Sequence, residues 1–182
     1  MKVDTLIVGF GIAGLNYAEQ LRQHNKSFIV ISPLCESSSR LAAGIVNPTV
    51  LKRFNPVWKA EAFLNFALSS YKNLESLVGE KVFYDMPIYR ILNNIQEQNE
   101  WRVAASKPKL EKYLKTELIS PESQPQIRSP FAFGKVIQSA KVDNKTLLKN
   151  YIEKIIPDQF LVEKLDYKLL VVRKEFLQYK NI

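Results

Sequence analysis

The chain has 182 residues, 46% of them hydrophobic and 24% charged, with a formal net charge of +8 and a pI near 9.5. That is enough chain for one good core, or for one core and a small second lobe. No apolar stretch is long enough to cross a bilayer, the glycine-interrupted run behind Lys2 is no signal peptide, and a single cysteine, Cys35, allows no internal disulfide and suits a reducing, cytoplasmic setting.

In chain order, Thr5-Leu6-Ile7-Val8 is predicted to form a buried strand, followed at once by the turn Gly9-Phe10-Gly11-Ile12-Ala13-Gly14. A helix begins inside that turn, with Ile12, Leu15, Ala18 and Leu21 on one face. The glycine spacing is that of a dinucleotide turn. The first glycine permits the bend, the second lets backbone approach a pyrophosphate, and the third lets helix lie close on strand. The phosphates then rest on the N–H groups of the helix N-terminus. His24 closes this helix as a surface residue, and one histidine with one cysteine makes no zinc site.

Ser27-Phe28-Ile29-Val30-Ile31 is a wholly apolar strand of the kind buried on both faces of a parallel sheet, so residues 3–32 form a βαβ unit. An Asp or Glu about 20 residues past the glycines ordinarily binds the ribose hydroxyls. Ser32 holds that place and brings no negative charge. Residues 33–56 are expected to be a long loop rich in Ser, Pro, Ala and Asn, and loops of that size are usually functional.

From about Pro56 to Val78 the spacing predicts a helix whose core stripe is Phe63, Phe66, Ala67, Tyr71, Leu74 and Leu77. Val82–Leu92 is expected to be one strand, Asn94–Ala105 a polar helix carrying Trp101, and Leu110–Leu118 a short helix. Phe131–Val142 supplies one or two strands. An amphipathic helix bearing Leu147, Leu148, Tyr151, Ile152 and Ile155 starts near Asp143 or Asn144. The tail holds three short apolar runs, 160–162, 168–172 and 175–179, that predict an antiparallel meander. The later lysines are interspersed with acids and form no arginine block, so a solvated face explains them better than a nucleic-acid site.

Gly9 to Gly14, followed by Ser38-Ser39-Arg40-Leu41-Ala42-Ala43-Gly44-Ile45, Val46-Asn47-Pro48 and Trp58, resembles the D-amino-acid-oxidase/glycine-oxidase group of FAD-dependent oxidoreductases. The likeness is specific over residues 3–48 and looser over 49–160. It implies an α/β fold: a Rossmann-like FAD-binding βαβ unit in residues 1–80, and part of an antiparallel-sheet substrate lobe in residues 81–182. It implies that Gly9, Gly11, Ile12, Ala13 and Gly14 contact the FAD pyrophosphate. Ser32 stands in the ribose position, Ser38, Ser39 and Arg40 lie toward the phosphates, and Ala42, Ala43, Gly44 and Ile45 lie toward the flavin. This second loop favours FAD over NAD.

The resemblance also implies a small amine or amino acid as substrate, with hydride passing from a C–N carbon to the flavin. The flavin carries that chemistry, so no catalytic side chain and no metal ligand is assigned. Members of the group are considerably longer. The chain is therefore expected to be an N-terminal part that leaves room for a separate C-terminal half, with the return strand beginning near Ile182 and activity of this chain alone left open. A non-catalytic nucleotide-binding fragment and a flavoenzyme acting on modified tRNA are the alternatives.

Overall fold

A computed structural model describes residues 2–34 and 37–180, so Cys35 lies outside the described residues. The chain folds into two compact units: Met1–Ala42, Leu77–Gly79 and Asn144–Ile182 form the first, and Ala43–Ser76 and Glu80–Asp143 the second.

The first unit opens as the sequence predicts. Strand β1 (Thr5–Val8) leads through the glycine turn into helix α1 (Ile12–Gln23), and β2 (Phe28–Ile31) returns parallel to β1 with Thr5 opposite Phe28. Leu15 and Ala18 of α1 are buried, and so is Glu19, which falls four residues after Leu15 on the same face. His24 is exposed at the helix end, with its Nδ1 2.8 Å from the Gln20 carbonyl oxygen. The expected loop 33–56 contains short elements of its own. The first is a single helical turn, α2 (Ser38–Leu41), capped by Ser37.

In the second unit β3 (Ile45–Val46), the hairpin of β4 (Thr49–Val50) and β5 (Asn55–Pro56), and helix α3 (Ala60–Val78, mostly within this unit) follow. The core face of α3 departs from the predicted stripe in its first half, while Leu74 of that stripe is buried as expected. Leu64 and Leu74 are buried, whereas Phe63 and Phe66 are exposed, and Phe63 instead meets the exposed Trp58 edge-on. The predicted strand 82–92 is two: β6 (Phe83–Asp85) and β7 (Ile88–Leu92). Pro87 has no N–H to continue a ladder. The Ser139 hydroxyl donates to the Met86 carbonyl at the break.

Helix α4 (Ile95–Ala105) is capped reciprocally. The Asn94 side chain accepts from the Glu97 N–H, and the Glu97 carboxylate accepts from the Asn93 N–H. Residues 110–118 form turns, with no helix. The Trp101 indole donates to the Lys115 carbonyl at 2.7 Å, and the segment then bridges to the next strand through Leu114 and Ile119. That strand, β8 (Ala132–Val136), pairs antiparallel with β7, and β9 (Ala140–Val142) lies between β3 and β6. Leu92, Trp101, Leu110, Leu114 and Val136 form the core beside them.

The chain re-enters the first unit with helix α5 (Asn144–Lys154) and β10 (Phe160–Leu161). β10 is not the first strand of a meander. It pairs parallel with β2, giving the sheet order β1-β2-β10. The return to the parallel sheet thus occurs about twenty residues before the position the resemblance implied. Only β11 (Leu170–Val172) and β12 (Leu177–Tyr179) form an antiparallel pair, whose Tyr179 packs with Ile29, Ile31 and Leu165. Among the described residues no helix is long and apolar enough to cross a membrane.

Candidate functional site: the glycine turn of the first unit

The turn sits at the C-terminal edge of the parallel sheet, where α/β sheets bind ligands. Gly9 has φ +89°, a conformation that L side chains rarely adopt, and its N–H donates to the Ile31 carbonyl at 2.8 Å. A Cβ on Gly14 would lie 2.5 Å from the Gly9 carbonyl oxygen, so the third glycine is what brings α1 down onto its own turn.

Phe10, between the first two glycines, points inward. It is buried against Tyr151 of α5, with ring centroids 6.0 Å apart, and edge-on to Phe160 of β10 at 5.4 Å. Burying such a ring stabilises the turn by roughly 2–3 kcal/mol. The Tyr151 hydroxyl in turn donates to the buried Glu19 carboxylate at 2.8 Å, which also accepts from Arg22 and Gln23. Burial opposes charge on Glu19, but the hydrogen bonds from Arg22, Gln23 and Tyr151 prevail and hold it below the usual carboxylate range. Burial first, and then the hydrogen bond to the Glu19 carboxylate and its charge, push the Tyr151 phenol far above its usual value.

The N-terminus of α1 is presented for an anion. Gly11 caps it without a side chain, there is no acid in the first turn, and the opening N–H groups have no partner within the helix. Ser39 of α2 accepts from the Ile12 N–H at 3.1 Å, which leaves its own O–H free to donate. A Cβ on Gly11 would fall 2.6 Å from the Ser39 oxygen, so the second glycine makes room for this hydroxyl. α2 lies against α5, and it carries Ser38, exposed, and Arg40, whose N–H donates to the Ser37 carbonyl.

Ser32 is 7% exposed, and its hydroxyl oxygen accepts from the Phe10 N–H at 3.1 Å, tying the end of β2 to the glycine turn. Its own N–H donates to the Leu161 carbonyl of β10.

The structure therefore brings Gly9, Gly11, Ile12, Ala13, Gly14, Ser32 and Ser39 together in one unit. Ala42 closes α2, exposed. Ala43, Gly44 and Ile45 belong to the second unit. There the Gly44 carbonyl accepts from the Val142 N–H at 2.8 Å, a Cβ on Gly44 would collide with the Val142 oxygen, and Ile45 pairs with Lys141. Arg90 of β7 donates to the Leu51 carbonyl and covers the Phe54 ring, a structural engagement.

Sequence reasoning missed Phe10, Glu19 and Tyr151. A signal for Glu19 was present: a carboxylate on the apolar face of an amphipathic helix requires a partner. Nothing local pointed to that partner, which lies 132 residues away.

No family model matches the chain. Solved structures do. Glycine oxidase from Bacillus cereus superposes with a TM-score of 0.67 at 16% identity, over 97% of this chain and 52% of that one. The chain shares its fold with this oxidase. Iminodiacetate oxidase from Chelativorans sp. BNC1 gives 0.66 at 15% identity, over 94% and 49%. L-α-glycerophosphate oxidase from Mycoplasma pneumoniae, a structure with FAD bound, gives 0.56 at 15% identity, over 93% and 49%. The chain thus spans about half the length of the solved structures it matches.

Proposed function

We propose that this chain is the dinucleotide-binding part of an FAD-dependent oxidoreductase acting on a small amine or amino acid. One observation carries the reading: the N-terminus of α1, whose cap Gly11 adds no side chain, made approachable by Gly9, Gly11 and Gly14 and flanked by the Ser39 hydroxyl, lies in a fold shared with glycine and iminodiacetate oxidases. The residues fit the group. A pyrophosphate would rest on the Ala13 and Gly14 N–H groups and accept from Ser39, with Arg40 beside them in the chain. Ser38 would stand near the phosphates and Ala42 toward the flavin. When bound, FAD would supply the oxidising chemistry toward a carbon that bears a nitrogen. The chain's own part is to bind and orient it.

The match to half the length of the solved structures supports a second element of the proposal: turnover requires further polypeptide, on this chain or on a separate one. The test is the flavin spectrum of the purified protein and the release of FAD on denaturation. The expected result is FAD binding that Ser39→Ala weakens by about tenfold, the effect of one hydrogen bond to a charged group. Failure to bind FAD, both alone and when mixed with a C-terminal polypeptide, would sink the reading.

A further inference from the structure

Ser32 stands where a nucleotide's ribose is ordinarily gripped, yet its polar groups serve the protein itself. The residue is buried, and its hydroxyl oxygen accepts from the Phe10 N–H at 3.1 Å. The same hydroxyl donates toward the Pro33 carbonyl at 3.4 Å, and the Ser32 N–H donates to the Leu161 carbonyl of β10. The residue before it acts alike: the Ile31 carbonyl accepts from the Gly9 N–H at 2.8 Å. The end of β2 thus holds two successive amides of the turn, one through backbone and one through a side chain. Farther along, Ser39 holds the Ile12 N–H, and the Phe10 ring packs on Tyr151 and Phe160. Gly9, at φ +89°, makes the bend possible but does not hold it, because glycine is the residue with the most backbone freedom to lose.

We propose that Ser32 is a positioning residue: it locks the glycine turn from inside, and nucleotide affinity depends on it although it does not touch the nucleotide. The inference rests on the dinucleotide reading of the glycine turn given above. The Ala13 and Gly14 N–H groups, on which the pyrophosphate would rest, follow closely on the Phe10 amide, so the setting of that amide decides where they point. Without the Ser32 hydroxyl the buried Phe10 N–H loses its acceptor, and the turn is drawn toward arrangements that return this N–H to water. The binding-competent shape is then only a fraction of the population, and the apparent dissociation constant rises as the reciprocal of that fraction.

The experiment is a calorimetric titration of wild-type protein and of Ser32→Ala with ADP and with 2′,3′-dideoxy-ADP, which keeps the pyrophosphate and lacks the ribose hydroxyls. The expected result is a loss of about tenfold in Ser32→Ala, the effect of one buried N–H left without its partner, by the same factor for both compounds. A loss confined to ADP would make Ser32 a ribose contact; the inference is then overturned and the dinucleotide site stands. Affinities unchanged within about threefold overturn it too, whatever happens to the unfolding midpoint, since a residue that only stabilises the fold moves the midpoint alone. If wild-type protein binds neither compound, with a C-terminal polypeptide present or absent, the inference and the dinucleotide reading fall together. Residue-resolved amide exchange of the wild-type protein decides the matter even if Ser32→Ala does not fold. The Phe10 amide is expected to be protected before any nucleotide is added, as a locked turn requires. Exchange at the rate of open chain until ADP binds would show that Ser32 does not hold the turn.

Discussion

Glu19, Tyr151 and Phe10 form a chain of contacts from the middle of α1, through α5, to the tip of the glycine turn. A carboxylate buried this well is tolerable only because four donor hydrogens converge on it, from the Arg22 guanidinium, the Gln23 amide and the Tyr151 phenol. Tyr151→Phe keeps the ring against Phe10 and removes one donor. It is expected to cost about 1–2 kcal/mol, read as a fall in the midpoint of thermal unfolding of ~2–4 °C per kcal/mol. Glu19→Ala leaves Tyr151 with an unsatisfied buried hydroxyl and is expected to cost more.

The pH dependence has a defined sign. Because the folded-state pKa of Glu19 is depressed, its contribution is complete above the ordinary carboxylate range and is lost as pH falls through the depressed value. For Tyr151 the folded-state pKa is raised, so its contribution is complete below the ordinary phenol value and is lost only as pH rises through the raised one. Stability profiles of wild type and Glu19→Gln should therefore converge on the acid side and separate toward neutrality. Parallel profiles across that window would show that the carboxylate charge contributes nothing.

At the scale of elements, the packing of α4 against β8 turns on one residue without a side chain. Gly134 lies opposite Arg90 in the β7–β8 ladder, and a Cβ there would enter the ring of Trp101, which is fully buried. Gly134→Ala is expected to destabilise the second unit by about 1–3 kcal/mol, as overpacking of a close-packed core does. Trp58 is exposed, so in a Trp58→Phe background the fluorescence reports Trp101 alone. An unchanged unfolding midpoint with unchanged emission would refute the expected clash.

The same elements show what the sequence made legible. β1, α1 and β2 were readable because period, glycine spacing and an apolar strand all agree within thirty residues. The second unit was read less well because its decisive contacts are remote. Trp101 captures the Lys115 carbonyl and converts a helix-like run into a bridge onto β8, and Pro87 divides what looked like one strand between two sheets. In α3 the stripe held at Leu74, but its aromatic start at Phe63 and Phe66 is exposed and Leu64 is buried in their stead. β10 was misjudged for another reason. Two apolar residues carry no mark of parallel or antiparallel pairing, and the choice is made by β2.

Over the whole molecule the charge of +8 is the feature most open to a different reading, since a basic protein invites an RNA partner. Many of its cations are already committed. Lys112 pairs with Glu61 and Lys180 with Glu163, while Lys154 donates to the Val78 carbonyl at the end of α3. Lys59 lies over Trp58, and Lys81 over Tyr84. Arg22 is bound to Glu19, and Arg90 to the Leu51 carbonyl. An RNA-binding face instead spends its cations on phosphates and releases one counterion for each, which makes affinity fall steeply with salt. The expected behaviour is weak association with tRNA at low salt that is lost by about 0.2 M, with a shallow dependence of log affinity on log salt, of order two or three phosphate contacts. Fluorescence anisotropy with labelled tRNA measures both quantities. Tight binding that persists at about 0.2 M with a slope of six or more would mean that a phosphate-tracking surface exists, and it would transfer the substrate assignment from a free amine or amino acid to a modified nucleotide in RNA. The proposed nucleotide binding at the glycine turn would be untouched by that outcome, because it would rest on the Ala13 and Gly14 N–H groups and the Ser39 hydroxyl rather than on the lysines.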